Sequence, residues 1–254
     1  MFEYFDSHSH LNLSPLAEEK EKIIKILEEE NIGTVTVGTD YETSRDAVEI
    51  AKTSKNLFAC VGLHPTDSKE SFDYEKFKKL AEDPKVVAIG ECGLDYFHPG
   101  DKEKQVKNFL PQIELARELK KPLMIHCRPS KRSMDAYRDL LDILKNYPDV
   151  KGNSHFFAGN LDIAKEFLKL GFTLSFAGPI TFVPDYDKVI KYAPIESLLS
   201  ETDAPFAAPM PHRGKTNYPQ YVKEVVKRIA EIKDLDLETT KKQLVANARR
   251  FFDF

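Results

Sequence analysis

The run Tyr4-Phe5-Asp6-Ser7-His8-Ser9-His10-Leu11 begins as an apolar strand and ends in two histidines one residue apart. Side chains two apart on a strand point to the same side, so His8 and His10 can both reach one cation. Working outward, short apolar runs recur at Thr34–Val37, Phe58–Val61, Val86–Ile89, Leu123–Ile125, Gly152–His155, Phe172–Phe176 and Leu198–Glu201. Most are separated by amphipathic helical stretches. Together with Tyr4–Asp6 they predict an α/β fold, a (β/α)8 TIM barrel whose site lies at the C-terminal ends of the strands. The 254 residues, 41% of them hydrophobic, suit one barrel domain spanning residues 1–254.

Helix signals support this alternation. From Glu18 to Glu30, Ile23, Ile24, Ile26 and Leu27 form one stripe, with Ser14-Pro15 as the expected start and Asn31-Ile32-Gly33 as the stop. Later stripes are Val106, Phe109, Leu110 and Ile113; Leu140, Leu141 and Leu144; and Val222, Val225, Val226 and Ile229. Pro111 removes a backbone donor and is expected to kink or divide its helix. Residues 204–219 are Pro-rich and read as a long loop above the last strand. No internal repeat or linker marks a domain boundary.

In this register His8 and His10 end strand one, Glu91 strand four, His126 strand five and His155 strand six, and Asp203 follows strand eight. Glu91 has two oxygens, each able to face one of two cations about 3.5–4 Å apart. The expected division gives one metal to His8, His10 and Asp203 and the second to His126 and His155, with Glu91 shared. A nitrogen and oxygen set without thiolate suits Zn, Mn, Fe or Ni; Mg or Mn gain if phosphate and water complete the shell. Two such cations acidify a water between them and neutralise charge on a phosphoryl or carbonyl oxygen, with Asp203 orienting the water and taking its proton.

The runs FDSHSHL, VGLHP, AIGECGLDY, MIHCR, SHFFAG, ETDAP, HRGK and NARRFF together resemble the TatD family of metal-dependent hydrolases and deoxyribonucleases, among the amidohydrolase-like barrels. The likeness runs from about residue 4 to the C-terminus. It implies a distorted TIM barrel, divalent metals and cleavage of DNA, and carries metal roles onto His8, His10, Glu91, His126, His155 and Asp203. Three stretches depart from the family pattern. Thr216-Asn217-Tyr218-Pro219 stands where Arg-Asn-Glu-Pro is common, His155-Phe156-Phe157-Ala158-Gly159 replaces His-Cys-Phe-Ser-Gly, and Pro129-Ser130 follow Arg128 where an acid is usual. These leave the metal set intact and bear on substrate preference.

Around that set, His64 is a candidate for contacting the scissile phosphate or protonating a leaving oxygen, against a satisfied loop histidine. Arg128, His212, Arg213 and Lys215 are candidate phosphate-binding residues on loops after strands five and eight, while Lys131 and Arg132 read as helix-surface charges. Asp6 shares strand parity with His8 and is either a partner of a ligating imidazole or a structural carboxylate. Asp95, just beyond Glu91, either orients that loop or approaches substrate, or shapes a turn through local backbone bonding, the turn favoured; His98 reads as structural. Tyr96, Phe97 and Tyr218 either stack on bases or pack.

The net charge of −4 argues against a surface that attracts nucleic acid everywhere, though a basic rim still can. Cys60, Cys92 and Cys127 are odd in number and widely spaced, which fits buried thiols in a reducing compartment; strand alternation turns Cys92 and Cys127 away from the site. With no signal-type start and no run near the roughly 20 apolar residues of a membrane span, the expectation is a soluble cytoplasmic protein, monomeric by default. Three functions remain open: a deoxyribonuclease acting on single-stranded or frayed DNA, a hydrolase of a small ester, amide, lactone or phosphotriester, and a metal-bearing scaffold without turnover. The charge and the absence of Arg at Thr216 lean toward the second, the basic loops toward the first.

Overall fold

A computed structural model describes residues 2–67 and 71–254. Eight parallel strands form one sheet in sequence order: β1 Tyr4–Ser9, β2 Ile32–Val37, β3 Leu57–Val61, β4 Val86–Asp95, β5 Leu123–Arg128, β6 Gly152–Ser154, β7 Thr173–Phe176 and β8 Leu198–Ser200. Helices α1 Lys20–Glu29, α2 Tyr41–Lys52, α3 Tyr74–Ala81, α4 Lys102–Leu119, α5 Asp135–Leu144, α6 Leu161–Lys169, α7 Asp187–Tyr192, α8 Val222–Lys233 and α9 Leu237–Phe252 surround it. The result is a nearly closed TIM barrel. Its closing seam is not a regular ladder. The Asp203 N–H donates to His8 O at 2.9 Å and the His10 N–H to Ala204 O at 2.7 Å, beyond the end of β8.

The apolar periodicity translates directly into packing. Leu140, Leu141 and Leu144 of α5 and Val222, Val225, Val226 and Ile229 of α8 are all buried. Acidic and amide side chains start several helices: Asp40 accepts from the Thr43 N–H, Asp101 from Glu103 and Lys104, and Asn160 from Ile163.

The barrel interior changes character along its axis. At the N-terminal end Phe5, Val35, Cys60, Met124 and Leu199 meet Phe252 of α9, and Phe254 stacks on Phe5 and Phe58 at 4.9 and 4.4 Å. At the other end the interior is polar, with Asp6, His8, Thr34, Asn153, Ser175 and Glu91 all buried.

Several boundaries move from their sequence-predicted places. β4 extends to Asp95, so Glu91 lies inside the strand. It does so through a bulge: Ile89 pairs with Leu123 but Cys92 with Ile125, one extra residue on β4. Gly90 sits in that bulge with φ +146°, where a Cβ would lie 2.3 Å from Met124 O. α4 runs unbroken through Pro111. The carbonyl freed four residues earlier belongs to exposed Lys107, where water can satisfy it, while Phe109, Gln112 and Ile113 hold the buried face. Ser14-Pro15 opens a separate turn at Leu16–Glu18 rather than α1. Lys131 and Arg132 lie in the turn before α5, not on a helix.

Asp6 is the structural carboxylate of the two readings. It accepts from the Thr202 N–H and Oγ1, each at 2.8 Å, and from Thr34 Oγ1 at 3.2 Å, tying β1 to β2 and to the segment after β8. Replacing it with alanine leaves the buried Thr202 N–H unpaired. Asp6→Ala is therefore expected to cost about 1–3 kcal/mol in urea unfolding, with the helical circular dichroism of the folded state retained.

Candidate metal centre

β1 and its first following residue bring His8 and His10 together, with their Nε2 atoms 3.2 Å apart. Two carboxylates face that pair. Glu91 Oε2 lies 3.5 Å from His8 Nε2 and 3.9 Å from His10 Nε2; Asp203 Oδ1 lies 3.6 and 3.4 Å from the same atoms. The other oxygen of Glu91, Oε1, faces a second set: His126 Nδ1 at 2.9 Å, His155 Nε2 at 3.1 Å and His64 Nε2 at 3.4 Å. A single carboxylate separates the two groups of nitrogens.

Most of these rings are held from behind. His10 Nδ1 is 2.9 Å from Val37 O, His64 Nδ1 2.7 Å from Thr66 Oγ1, His126 Nε2 2.9 Å from Asp95 Oδ2 and His155 Nδ1 3.2 Å from Glu201 Oε1. Such partners fix ring orientation and the tautomer. His8 stacks on His155 with centroids 3.8 Å apart, and among the described residues its buried Nδ1 has no hydrogen-bond partner.

Charge is strongly redistributed. Burial would raise the Glu91 pKa, but the neighbouring charges of His64 and His155 and hydrogen bonds from His126 and His155 hold it well below the carboxylate range. Burial likewise opposes charge on His155, yet Glu201 and Glu91 outweigh it and raise its pKa well above the usual imidazole value. Burial and the neighbouring His155 lower that of His8.

This donor set fits divalent cations. His8, His10 and Glu91 offer atoms all within 4.8 Å of one another, as do His64, Glu91 and His126, and His8, His155 and Glu201. Two imidazole nitrogens 3.2 Å apart need a shared proton or a cation between them, and the adjacent carboxylate oxygens supply the opposite charge. Among the described residues no thiol joins these groups: Cys92 and Cys127 are buried in the main apolar cluster, Cys127 at the border of the cleft, and burial raises the pKa of both.

Two residues that the strand-end pattern passed over belong here. Glu201, wholly buried, also accepts from the Phe156 N–H and from Ser175 Oγ, each at 2.6 Å. Its place just after β8, two residues before Asp203, was the available signal. Asp95 does more than shape a turn: it accepts from the Phe97 and His98 N–H groups at 2.9 Å and also faces His126. His98, read as structural, borders the cleft with Nδ1 3.0 Å from Asp95 Oδ2.

The centre forms the floor of a cleft of about 960 Å³. Arg128 lines it, its guanidinium 3.9 Å over Phe97. The other expected basic residues lie outside this lining: His212 stacks on Tyr221 at 3.8 Å, Arg213 sits 4.2 Å over Phe182, and Lys215 is exposed on the same loop. Among the three aromatic candidates, Tyr96 is tied to Asp139 at 2.9 Å and Tyr218 packs edge-on against Tyr221, while Phe97 is exposed.

A family model described as TatD related DNase matches residues 5–253. The chain belongs to the TatD family. It is 39% identical to the metal-dependent hydrolase YabD of Bacillus subtilis over 98% of both chains. Identity to the metal-dependent hydrolase MG009 of Mycoplasma genitalium is 36%, covering 98% of this chain and 99% of that one. The crystal structure of YJJV, a TatD homologue from Escherichia coli, superposes with a TM-score of 0.89 at 27% identity, covering 99% of this chain and 98% of that one. As a TatD family member the protein is a metal-dependent hydrolase, with buried histidine and glutamate clusters suited to the metal.

Glu201 offers a test of the shell behind the donors. Glu201→Gln keeps the shape and removes the charge behind His155, so metal affinity is expected to fall about 10- to 100-fold, measured by competition with a chelator, while the fold is retained.

Proposed function

We propose that this chain hydrolyses DNA phosphodiester bonds, acting at a single strand or a frayed end with two divalent cations. The observation that carries this reading is Glu91, whose two oxygens face separate donor sets on the floor of a cleft bordered by Arg128. Membership of a family described as TatD-related DNases supports the choice of bond.

His8, His10, Asp203 and Glu91 would hold one cation, and His126, His155 and Glu91 the other. Divalent cations supply Lewis acidity at the phosphoryl group and lower the pKa of water in the site. Asp203 orients the attacking water and accepts its proton. His64, at the cleft wall, protonates the leaving oxygen. Arg128, kept in place by the Phe97 face, binds a phosphate next to the cleaved one. Arg213, His212 and Lys215 contact the strand farther from the centre.

The deciding assay uses end-labelled single- and double-stranded DNA after chelation, with Mg, Mn or Zn restored. Cleavage is expected only with metal, and Asp203→Asn and His126→Ala are each expected to lower it about 100-fold or more. Binding should weaken steeply as salt rises, since phosphate contacts release counterions. Metal-loaded protein that leaves DNA intact but hydrolyses small esters or phosphotriesters, with no salt dependence, would overturn the reading in favour of the small-molecule hydrolase.

A further inference from the structure

Phe206 is an exposed ring beside a buried polar centre. It is 52% exposed, lines the cleft, and lies with its ring centroid 6.0 Å from that of His10, tilted at 71°. Of the large apolar side chains exposed among the described residues, it is the one that borders the cleft.

The ring is exposed, but its backbone is fastened. The Phe206 N–H donates to Asp203 O at 2.8 Å. Its carbonyl accepts from Asn217 Nδ2 at 2.7 Å, and the same amide donates to Thr202 O at 2.8 Å. Asn217 is itself wholly buried. Asp203 and Ala207, on either side, have φ of +55° and +50°, a conformation that costs non-glycine residues energy and persists where the surroundings impose it. The loop thus holds a solvent-facing aromatic at a fixed place next to the donors. An apolar ring there gains nothing from water and has no core to fill.

We propose that Phe206 is the platform on which a substrate base stacks, the base of the nucleotide on the His8 and His10 side of the cleaved phosphate. This rests on the nuclease reading above. A flat, uncharged face recognises any base through its π surface, whereas a paired base inside a duplex has both faces covered. The enzyme therefore takes a nucleotide whose base is unstacked. Arg128 on Phe97, on the His126 side, binds the strand as it leaves the centre. The substrate then runs from Phe206 across Glu91 to Arg128.

The test uses metal-loaded protein and a single-stranded oligonucleotide carrying 2-aminopurine at each end in turn, with non-hydrolysable methylphosphonate links beside it. Binding to the unmodified enzyme is expected to quench the probe at one end. Phe206→Ala and Phe206→Leu should abolish that quenching and raise KM for the cleavable strand about ten-fold or more, with kcat changed far less; Phe206→Tyr should retain both. Removing the stacked base from the substrate should weaken the unmodified enzyme by the same factor and the Phe206→Ala protein no further. Leucine keeps the apolar bulk, so thermal melts of the variants separate a folding defect from a stacking defect. If the enzyme cleaves DNA while both quenching and KM are indifferent to Phe206, the platform is wrong and the nuclease reading stands. If metal-loaded enzyme neither binds nor cleaves the strand, both fall.

Discussion

The centre depends on a carboxylate that could not be buried alone. Glu91 is 4% exposed, and an isolated ionised acid at that depth would be strongly disfavoured. It is stable there because imidazoles from β1, β5 and the segments after β3 and β6 approach it from two sides. The same requirement extends outward. Four of the five imidazoles have a second partner that holds the ring: Val37 O for His10, Thr66 for His64, Asp95 for His126 and Glu201 for His155. Glu201 is in turn satisfied by Ser175 and the Phe156 N–H.

The barrel makes such a concentration of polar groups affordable by dividing labour along its axis. Aromatic and aliphatic side chains close the N-terminal end, where Phe252 and Phe254 meet Phe5 and Phe58. Burial there supplies stability with no polar group to satisfy. The C-terminal end can then be given over to histidines and acids, and irregular backbone gathers beside it. The β4 bulge and the left-handed Phe156, Asp203 and Ala207 all lie at or next to the cleft. A regular strand would alternate Glu91 and its neighbours by simple parity; the extra residue re-aims the carboxylate between the two nitrogen sets.

Much of this was legible in the chain. Eight apolar runs with intervening stripes gave the barrel because strand and helix periods differ, and the runs recovered each of the eight strands, short of full length in five and one residue too long in three. β4 was read four residues long because Gly90 and Glu91 break the apolar pattern, yet the ladder continues through them. Pro111 was expected to kink or divide its helix because the loss of a donor is local; the helix is not divided, since packing of Phe109, Gln112 and Ile113 holds it as a whole. Glu201 was hidden at a strand end with no histidine beside it in sequence, and Phe206 inside a Pro-rich loop with no periodicity to mark it.

The sequence by itself determined the alternation of strands and helices, the placing of histidines and acids at strand ends, and so the kind of chemistry to look for. These follow from periodicity and side-chain type, which are local. Tertiary structure alone decided that Glu201 stands behind His155, that Asp6 closes the barrel seam, that Arg128 but not Arg213 lines the cleft, and that Phe206 stands beside His10. Each of those depends on distances between residues far apart in the chain. Such distances are set by how strands shear, bulge and close around a common axis, and no local pattern encodes them.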